Sequence, residues 1–202
     1  MTPVLQAEKL SKWYGNILGI SDINLEIGAG VTGLLGPNGA GKSTFLKIAA
    51  GQLKPKIGSL RLFGEAAFGN PRLFRRVGFC PEHDSAYMEM SGAGFLLLLA
   101  RLHGFAGAAA AARAEKALAT VGLLESRERP IRGYSFGMRQ RLRLAASILH
   151  EPEVLLLDEP LRGVDPLWRI QIIRLIKDYG RQGRTVIVSS HILPEIEAMT
   201  SE

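Results

Sequence analysis

Apolar and β-branched residues at the start of the chain come in short runs, which is the pattern of β-strands. The runs fall at residues 4–7, 23–27, 31–35, 59–63 and 77–80. Turn-forming residues separate them: 28–30 lies between the second and third runs, Gly64 follows the fourth, and Pro81 follows the fifth. Residues 42–50 follow a glycine-rich loop and predict a helix that ends at Gly51. This part of the chain is therefore predicted to be rich in strands.

The pattern becomes helical between residues 87 and 147, where β-branched residues are few. Residues 106–119 are rich in alanine, the strongest helix former. Farther on, one stripe at helical spacing contains Met138, Leu142, Ala145 and Leu149. The neighbouring arginines are expected on a solvated helix face; they are Arg127, Arg129, Arg132, Arg139, Arg141 and Arg143.

Continuous apolar runs return at residues 154–157 and 185–189, as expected for parallel strands that are buried on both faces of a sheet. Between them, Asp165 and Pro166 have the residue types of a helix cap and a first helical position, and the predicted helix runs to Gly180. Its core-facing positions are predicted to be Ile170, Ile173 and either Ile176 or Lys177. The chain is therefore predicted to be an α/β core interrupted by a helical insertion.

Composition adds modest constraints. The 202 residues are 47% hydrophobic and 22% charged, which suits one large domain, and the formal charge of +6 weakly favours anionic partners. The single cysteine, Cys80, excludes an intrachain disulfide and is expected to be a small buried side chain in a reducing compartment. No signal-peptide layout is present, and the longest aliphatic run, residues 95–100, is too short to cross a bilayer.

Residues 36–44 (GPNGAGKST) match the phosphate-binding loop pattern Gly-x4-Gly-Lys-Ser, between a predicted strand and a predicted helix. The loop consists of Gly36, Pro37, Asn38, Gly39, Ala40, Gly41, Lys42, Ser43 and Thr44. Gly39 and Gly41 would let backbone N–H groups face the phosphates of ATP, with the positive end of the next helix behind them. Lys42 would bridge the β- and γ-phosphates, and Ser43 would hold Mg²⁺. The alternative, a glycine-rich turn that binds nothing, is disfavoured by the Lys-Ser pair.

Two acids, Asp158 and Glu159, close the apolar run 154–157, at the strand end where ligands bind in open α/β sheets. Asp158 is expected to coordinate Mg²⁺, and Glu159 to act as the general base toward the water that attacks the γ-phosphate. A solvated acidic turn is the alternative for this segment alone. Together with Lys42, the catalytic interpretation is favoured.

Two more motifs complete a recognisable order. Residues 134–140 (YSFGMRQ) open a helix ahead of the acidic strand end, and Ser190 and His191 follow the last apolar run. With these four motifs in this order, the chain resembles the ATP-binding subunits of ABC transporters over essentially its whole length. The segment 134–140 is most similar to the signature of exporter-type subunits that pair with separate membrane subunits.

The resemblance implies an α/β fold with a P-loop NTPase (RecA-like) core, an N-terminal antiparallel β region and an inserted helical subdomain. A single ABC ATPase domain would span residues 1–202. Residues 1–82 and 148–202 would form the nucleotide-binding core with the β region, and residues 83–147 the helical subdomain. Because the family has further short strands after its switch histidine, the resemblance also implies a chain truncated beyond His191.

The resemblance further implies a pair of subunits. Ser135 and Gly137, in the signature segment, would clasp the γ-phosphate of ATP bound to the opposite subunit, because they cannot reach the phosphate loop of their own chain. Asp165 would belong to the loop that communicates between the subunits while also capping its helix. A homodimer would therefore close over two ATP molecules.

Other roles implied by the resemblance lie within one subunit. Tyr14 would stack on adenine, with Trp13 as the neighbouring alternative. His191 would be the switch histidine that contacts the γ-phosphate, and it completes a catalytic set with Lys42 and Glu159. ATP and Mg²⁺ are the implied substrate and cofactor.

The chain departs from the family pattern at two positions. Phe136 replaces the first glycine of the commonest signature, at a position that varies. Glu82 stands where the family has a glutamine whose carbonyl oxygen touches Mg²⁺ and the attacking water. We expect Glu82 to keep the nucleotide and metal role with an altered Mg²⁺ dependence, because a carboxylate can ligate Mg²⁺ but adds negative charge near the γ-phosphate.

The implied function is ATP hydrolysis that drives a separate membrane permease, in an exporter, from the cytoplasmic face of the membrane. Part of the set Tyr87, Met88 and Met90 is expected to stay exposed, because in the family a helix of the permease docks beside it. One alternative is a soluble ABC-type ATPase that acts on nucleic acid or ribosomes, although no sustained heptads lie between Lys42 and Asp158. Another is a non-enzymatic nucleotide-gated module in which Glu82 impairs turnover.

Overall fold

The computed structural model describes residues 3–83 and 87–200. Its strands are β1 (Leu5–Tyr14), β2 (Ile17–Ile27), β3 (Gly30–Leu35), β4 (Ile57–Leu62), β5 (Glu65–Ala66), β6 (Val77–Cys80), β7 (Val154–Asp158) and β8 (Thr185–Ser190). Its α-helices are α1 (Lys42–Ala49), α2 (Gly92–Leu102), α3 (Gly107–Thr120), α4 (Phe136–Ile148), α5 (Pro166–Arg181) and α6 (Leu193–Thr200). The α/β class predicted from the sequence is confirmed.

An antiparallel sheet with the strand order β2-β1-β4-β5 forms the N-terminal part of the fold. Its first hairpin, β1 and β2, is longer than the predicted runs 4–7 and 23–27 and turns at Gly15, whose φ is 59°. The predicted runs fell short because register shifts within β1 break the alternation of apolar and polar residues between the two faces. The longer hairpin brings Tyr14 to the first helix, where its hydroxyl oxygen lies 3.3 Å from the hydroxyl oxygen of Thr44.

A parallel sheet with the strand order β3-β8-β7-β6 lies at the centre of the molecule. In β7, Leu155 and Leu157 belong to the core beneath the helices, whereas Val154 and Leu156 belong to the core shared with α1 and the antiparallel sheet. This sheet is buried on both faces, as the continuous apolar runs predicted. Cys80, at the end of β6, is fully buried as expected, and burial raises the pKa of its thiol to about 12.

Helices α2, α3 and α4 share the first of these cores with the parallel sheet. The predicted stripe of α4 is confirmed at Leu142 and Ala145, which are fully buried. The expectation of a solvated arginine face is wrong at Arg141 and Arg143, which are only 9% and 4% exposed. An apolar stripe does not reveal this, because the oxygens that accept from Arg141 belong to the segment after another helix, α3.

The predicted core face of α5 is confirmed at Ile173 and Ile176 and wrong at Ile170. Ile172 and Ile176 are buried against the sheet, while Ile170 is 49% exposed. Two apolar stripes at helical spacing compete in this helix, and packing against β3 and β8 selects the one through Ile172. Helix α6, which the sequence patterns did not predict, crosses β3 at Gly33, where a Cβ atom would lie only 2.5 Å from Ile196.

Strands β3, β7 and β8 run parallel, so their carboxyl ends meet at one edge of the sheet. The phosphate loop, the acidic pair and the final histidine all follow these ends. Within the two described ranges, no helix has the length and apolar character needed to span a membrane.

Candidate active site

The loop between β3 and α1 is shaped by its glycines. Gly39 and Gly41 have φ values of 83° and 90°, in the left-handed region that favours glycine. A Cβ atom on Gly41 would lie 2.4 Å from the carbonyl oxygen of Gly19, so close packing also requires glycine there. The Lys42 ammonium donates to the carbonyl oxygen of Gly36 at 2.7 Å. The loop therefore places the positive end of α1 and a lysine at one point of the sheet edge.

A cleft of about 380 Å³ opens at this loop. Its lining brings together the hairpin edge, the phosphate loop and two carboxylates: Tyr14, Ile17, Leu18, Gly19, Asn38, Gly39, Ala40, Gly41, Lys42, Ser43, Thr44, Glu82 and Glu159. Tyr14 is 45% exposed beside two apolar residues, which provides an exposed ring and an apolar rim for a flat base. Trp13, the alternative to Tyr14, does not belong to this lining.

The acidic pair at the end of β7 is fixed by a serine of the next strand. Ser189 donates its hydroxyl to Asp158 Oδ1 at 2.7 Å and accepts the backbone N–H of Glu159 at 3.0 Å. All three residues are buried, with exposures of 0% for Ser189, 1% for Asp158 and 7% for Glu159. Glu159 has a φ of 49°, which is uncommon for a residue other than glycine. The serine hydroxyl therefore helps to hold the turn that points Glu159 at the cleft.

The Glu159 carboxylate has two cationic or polar neighbours. His191 Nδ1 lies 3.0 and 3.1 Å from its two oxygens, and Lys42 Nζ lies 3.8 Å from Oε1. The structure thus brings together the three residues that the sequence analysis named as the catalytic set. Their backbones come from α1, the end of β7 and the residue after β8. A carboxylate, an ammonium group and an imidazole ring therefore meet in one place.

A glutamine from the signature helix supports the same turn. Gln140, which is 1% exposed, directs its Nε2 at the carbonyl oxygens of Glu159 and Pro160, at 3.4 and 3.2 Å. Its Oε1 accepts a hydrogen bond from Arg143. The first turns of α4 are therefore connected through a buried side chain to the backbone of the candidate base.

Glu82 follows β6 by two residues and forms another wall of the cleft. Its Oε1 accepts a hydrogen bond from Arg162, and its Oε2 lies 3.9 Å from His83 Nε2. Arg162 belongs to the turn after Glu159, whose carbonyl oxygen accepts the Arg162 backbone N–H at 3.2 Å. A single arginine thus connects the Glu82 carboxylate to the backbone of Glu159.

The signature residues lie on a different surface. The described lining of the Lys42 cleft contains none of the three residues Ser135, Gly137 and Asp165. Ser135 caps α4 and Asp165 caps α5, as predicted for Asp165. The two segments touch, since a Cβ atom on Gly137 would lie 3.0 Å from the carbonyl oxygen of Gly163. One exposed patch therefore presents two helix N-termini together.

The predicted metal ligands are few and are oxygen atoms, which suits Mg²⁺ better than a metal ion held entirely by protein side chains. Among the described residues, no three His, Cys, Asp or Glu side chains are grouped so as to enclose a metal ion. Of the predicted ligands, the Ser43 hydroxyl and the Glu82 carboxylate line the cleft, whereas Asp158 is 1% exposed and lies outside the described lining. Mg²⁺ prefers such a small number of hard oxygen ligands and completes its shell with water and phosphate oxygens.

Sequence reasoning missed three residues of this arrangement, which are Ser189, Gln140 and Arg162. The signature segment 134–140 includes Gln140 but assigns it no role, and no motif includes Ser189 or Arg162. Their side-chain partners lie in distant parts of the chain. Ser189 lies 30 residues from Glu159, and Arg162 lies 80 residues from Glu82. The only sequence signals that these elements border the site were the apolar run that predicts β8 and the polar residues within α4.

Comparisons with known proteins place the arrangement in context. The family model described as ABC transporter matches residues 20–162. The bacitracin transport ATP-binding protein BcrA of Enterococcus faecalis is 40% identical over 200 residues, which are 98% of this chain and 64% of that protein. The daunorubicin/doxorubicin resistance ATP-binding protein DrrA of Streptomyces peucetius is 35% identical over 200 residues, which are 98% of this chain and 61% of DrrA.

A third relative is the Nod factor export ATP-binding protein I of Ralstonia nicotianae, which is 34% identical over 203 residues, covering 100% of this chain and 63% of that protein. The chain therefore spans less than two thirds of the length of each of these three relatives, at 61 to 64%. The alignment with this third relative contains all the site residues described above, whereas the family model, at residues 20–162, does not reach Tyr14, Ser189 or His191.

Proposed function

Since the chain belongs to the ABC transporter family, we propose that it is the ATP-binding and ATP-hydrolysing subunit of an exporter that works with a separate membrane permease. The observation that supports this most directly is the meeting of Lys42, Glu159 and His191 at the phosphate loop. The relatives are named for transport, drug resistance and export, which favours an exporter over an ATPase that acts on nucleic acid.

In the proposed reaction, Glu159 accepts the proton of the water that attacks the γ-phosphate of ATP. Burial and the turn held by Ser189 keep its carboxylate at the cleft, and the nearby Lys42 ammonium offsets negative charge that develops on the phosphate. His191 orients the carboxylate through Nδ1. Ser43, Asp158 and Glu82 would hold Mg²⁺, which when bound neutralises phosphate charge.

We propose that two copies act together, because the signature patch and the Lys42 cleft are separate surfaces of one chain. Ser135 and Asp165 cap the N-termini of α4 and α5 in this patch, and Gly137 lies in the first turn of α4, so the positive helix ends favour an anion there. This patch would contact the γ-phosphate of an ATP molecule held by the Lys42 cleft of the second copy. ATP would then join the two subunits, and hydrolysis would release them.

The permease contact is proposed beside the loop after Glu82. Tyr87 and Met88 are 64% and 38% exposed, while Met90 packs against the helical core.

We propose that residues 83–147 form the subdomain that transmits closure to the permease, and that residues 1–82 and 148–202 form the nucleotide-binding unit. The subunit would then sit on the cytoplasmic face of the membrane. Replacing Tyr87 and Met88 by serine should abolish transport and leave basal ATP hydrolysis unchanged; equal loss of both would contradict this contact.

The Glu159→Gln variant tests the function. It retains the shape and nucleotide contacts but lacks the base, so hydrolysis should fall at least about 100-fold. ATP should then hold a stable dimer, measured by size-exclusion chromatography with light scattering. Glu128→Gln serves as the control, because Glu128 is exposed and does not belong to the described lining of the cleft; this variant should behave as the parent protein does. A Glu159→Gln protein that stays monomeric with ATP at several salt concentrations, or that keeps its turnover, would overturn the proposal.

A further inference from the structure

The ion pair between Glu82 and Arg162 gives the cleft a feature that the motifs alone do not contain. We propose that Arg162 is a positioning residue: it holds the Glu82 carboxylate at the wall of the cleft and offsets its charge, so that Glu82 can serve the Mg²⁺–ATP site. The inference rests on the proposed function, because it concerns how the same cleft accepts its nucleotide.

The charge balance of the cleft is the first argument. Glu82 and Glu159 both line it, and Lys42 is the cation among the lining residues that the structure describes. Lys42 already lies 3.8 Å from Glu159, so it is shared with that carboxylate. The triphosphate of ATP adds several negative charges to the same space. Without a cation of its own, the Glu82 carboxylate, which is only 24% exposed, would repel the substrate.

The second argument is the position of Arg162. Its guanidinium binds Glu82, and its backbone N–H donates to the carbonyl oxygen of Glu159 at 3.2 Å. The same residue therefore belongs to the turn of the candidate base and reaches the segment after β6. One side chain therefore sets the distance between the wall that contains Glu82 and the wall that contains Glu159. An unpaired glutamate at the end of a strand would instead be free to change rotamer.

The third argument separates a local role from a general contribution to stability. The Arg162 side chain is 53% exposed and that of Glu82 is 24% exposed. Exposed ion pairs contribute little to the stability of a fold, because water and salt screen them. The consequence of this pair should therefore be found in nucleotide and metal handling, with the melting temperature nearly unchanged.

A double-mutant cycle tests the inference with the full chain. The proteins are the parent, Arg162→Gln, Glu82→Gln and the double variant. Arg162→Gln alone should raise the Mg²⁺ concentration for half-maximal activity, and lower kcat, by about tenfold, because it leaves the Glu82 charge unpaired. In the Glu82→Gln background the same change should alter both quantities less than about twofold. Arg162→Lys should restore part of the loss by returning the charge.

A second measurement does not depend on turnover. Each variant is combined with Glu159→Gln, and the Mg²⁺ dependence of binding of a fluorescent ATP analogue is titrated. The same coupling between positions 82 and 162 is expected there. Arg76→Gln is the matched control, because it breaks another arginine–glutamate pair, Arg76 with Glu153, and should leave both measurements unchanged.

The outcomes are distinct. Equal effects of Arg162→Gln in both backgrounds would overturn the inference, since Arg162 would then act independently of Glu82. If Arg162→Gln had no effect in either background, the ion pair would be a surface contact without a role in the cleft, and the inference would also be overturned. A parent protein without ATPase activity would contradict the proposed function instead, and the binding titration would still decide the role of Arg162.

Discussion

The carboxyl ends of β7 and β8, with Glu159 and His191, form the catalytic edge of the parallel sheet. This edge and the helical part formed by α2, α3 and α4 both contain buried polar groups, but the contacts of these groups differ. At the catalytic edge, the buried residues Ser189, Asp158 and Glu159 contact one another across neighbouring strand ends, and the more exposed His191 contacts Glu159. In the helical part, buried polar side chains such as Arg141 close the ends of other elements. The comparison teaches that burial alone does not identify a site. What matters is whether the buried groups converge on a cleft.

Arg141 illustrates the structural purpose. Its Nη1 donates to the carbonyl oxygens of Val121 and Gly122, at 2.9 and 3.3 Å, just after the end of α3. Its guanidinium lies over the ring of Trp168 in α5, 4.4 Å from the ring centroid. Burial lowers the pKa of Arg141, and the nearby charge of Asp165 acts in the opposite direction. One side chain thus joins α3, α4 and α5 and does not belong to the described lining of the Lys42 cleft.

The largest effect that separates the two regions is expected for Arg141→Met. The methionine keeps much of the apolar contact but leaves two carbonyl oxygens without their donor, so the free energy of unfolding should fall by about 3 kcal/mol. Well below the melting temperature, kcat for ATP hydrolysis should change less than about twofold, because no contact with the cleft is lost. Denaturant unfolding and a phosphate-release assay measure the two quantities.

The matched control is Arg101→Met, at an exposed arginine in the last turn of α2. It should reduce the free energy of unfolding by less than about 0.5 kcal/mol, because a surface side chain is replaced without loss of a buried partner. If Arg141→Met lowered kcat strongly while leaving stability intact, the division between the two regions would be wrong.

The same division explains how much could be predicted from the sequence. The phosphate loop was predictable because its requirements are local: positive φ at Gly39 and Gly41, and a lysine at the first position of the helix. The buried strands were predictable because a sheet covered on both faces needs continuous apolar runs. Motif order and resemblance then supplied the rest of the site, including Glu159 and His191.

What the sequence did not predict depends on contacts between distant segments. The burial of Arg141 depends on where α3 ends, and the exposure of Ile170 depends on which stripe of α5 meets the sheet. Ser189 acts on Glu159 because β7 and β8 are adjacent and in register, with Asp158 opposite Ser189. Such facts follow from tertiary packing, which residue spacing within one element does not determine.

A pH-dependent effect of intermediate size is expected at the end of the helical part. His150 stacks on His103, with ring centroids 3.9 Å apart, and its Nε2 lies 3.1 Å from the carbonyl oxygen of Val77. Burial, helped by the neighbouring His103 and Arg113 and opposed by the bond to Val77, lowers the pKa of His150 to about 4. The folded protein therefore holds this histidine neutral.

The sign follows from the difference between the folded and unfolded states. An unfolded histidine has a pKa near 6.5, so between this value and pH 4 the unfolded state binds more protons. This contribution to stability is fully present above about pH 6.5 and is lost as the pH falls, by about 2 kcal/mol between pH 7 and pH 5. Chemical denaturation at the two pH values should show that His150→Gln loses less stability than the parent by this amount.

His83→Gln is the control for the acid effect, because its side chain is 84% exposed and should leave the pH dependence of stability unchanged. Equal losses in the parent and in His150→Gln would show that the stacked histidines do not weaken the helical part in acid. That result would remove the acid sensitivity that distinguishes this region from the catalytic edge.

The smallest effect, and the finest test of the comparison, is a pair of serine-to-alanine changes. Ser189→Ala removes the only hydroxyl that joins Asp158 to the backbone of Glu159 among the described contacts. Ser147→Ala removes an equally buried hydroxyl in α4, which donates to the carbonyl oxygen of Leu144. Both changes delete one oxygen atom, so their difference reports the place of each serine and not its size.

Ser189→Ala should lower kcat about tenfold, because the Glu159 turn loses its anchor, and should reduce stability by about 1 kcal/mol through a buried N–H without an acceptor. Ser147→Ala should leave kcat unchanged, since alanine favours the helix and no group at the cleft loses a partner. Steady-state ATP hydrolysis and denaturant unfolding of both variants measure this. Equal kcat values for the two variants would mean that the serine of β8 only fills space, and the catalytic edge would then differ from the helical part by its charged residues alone.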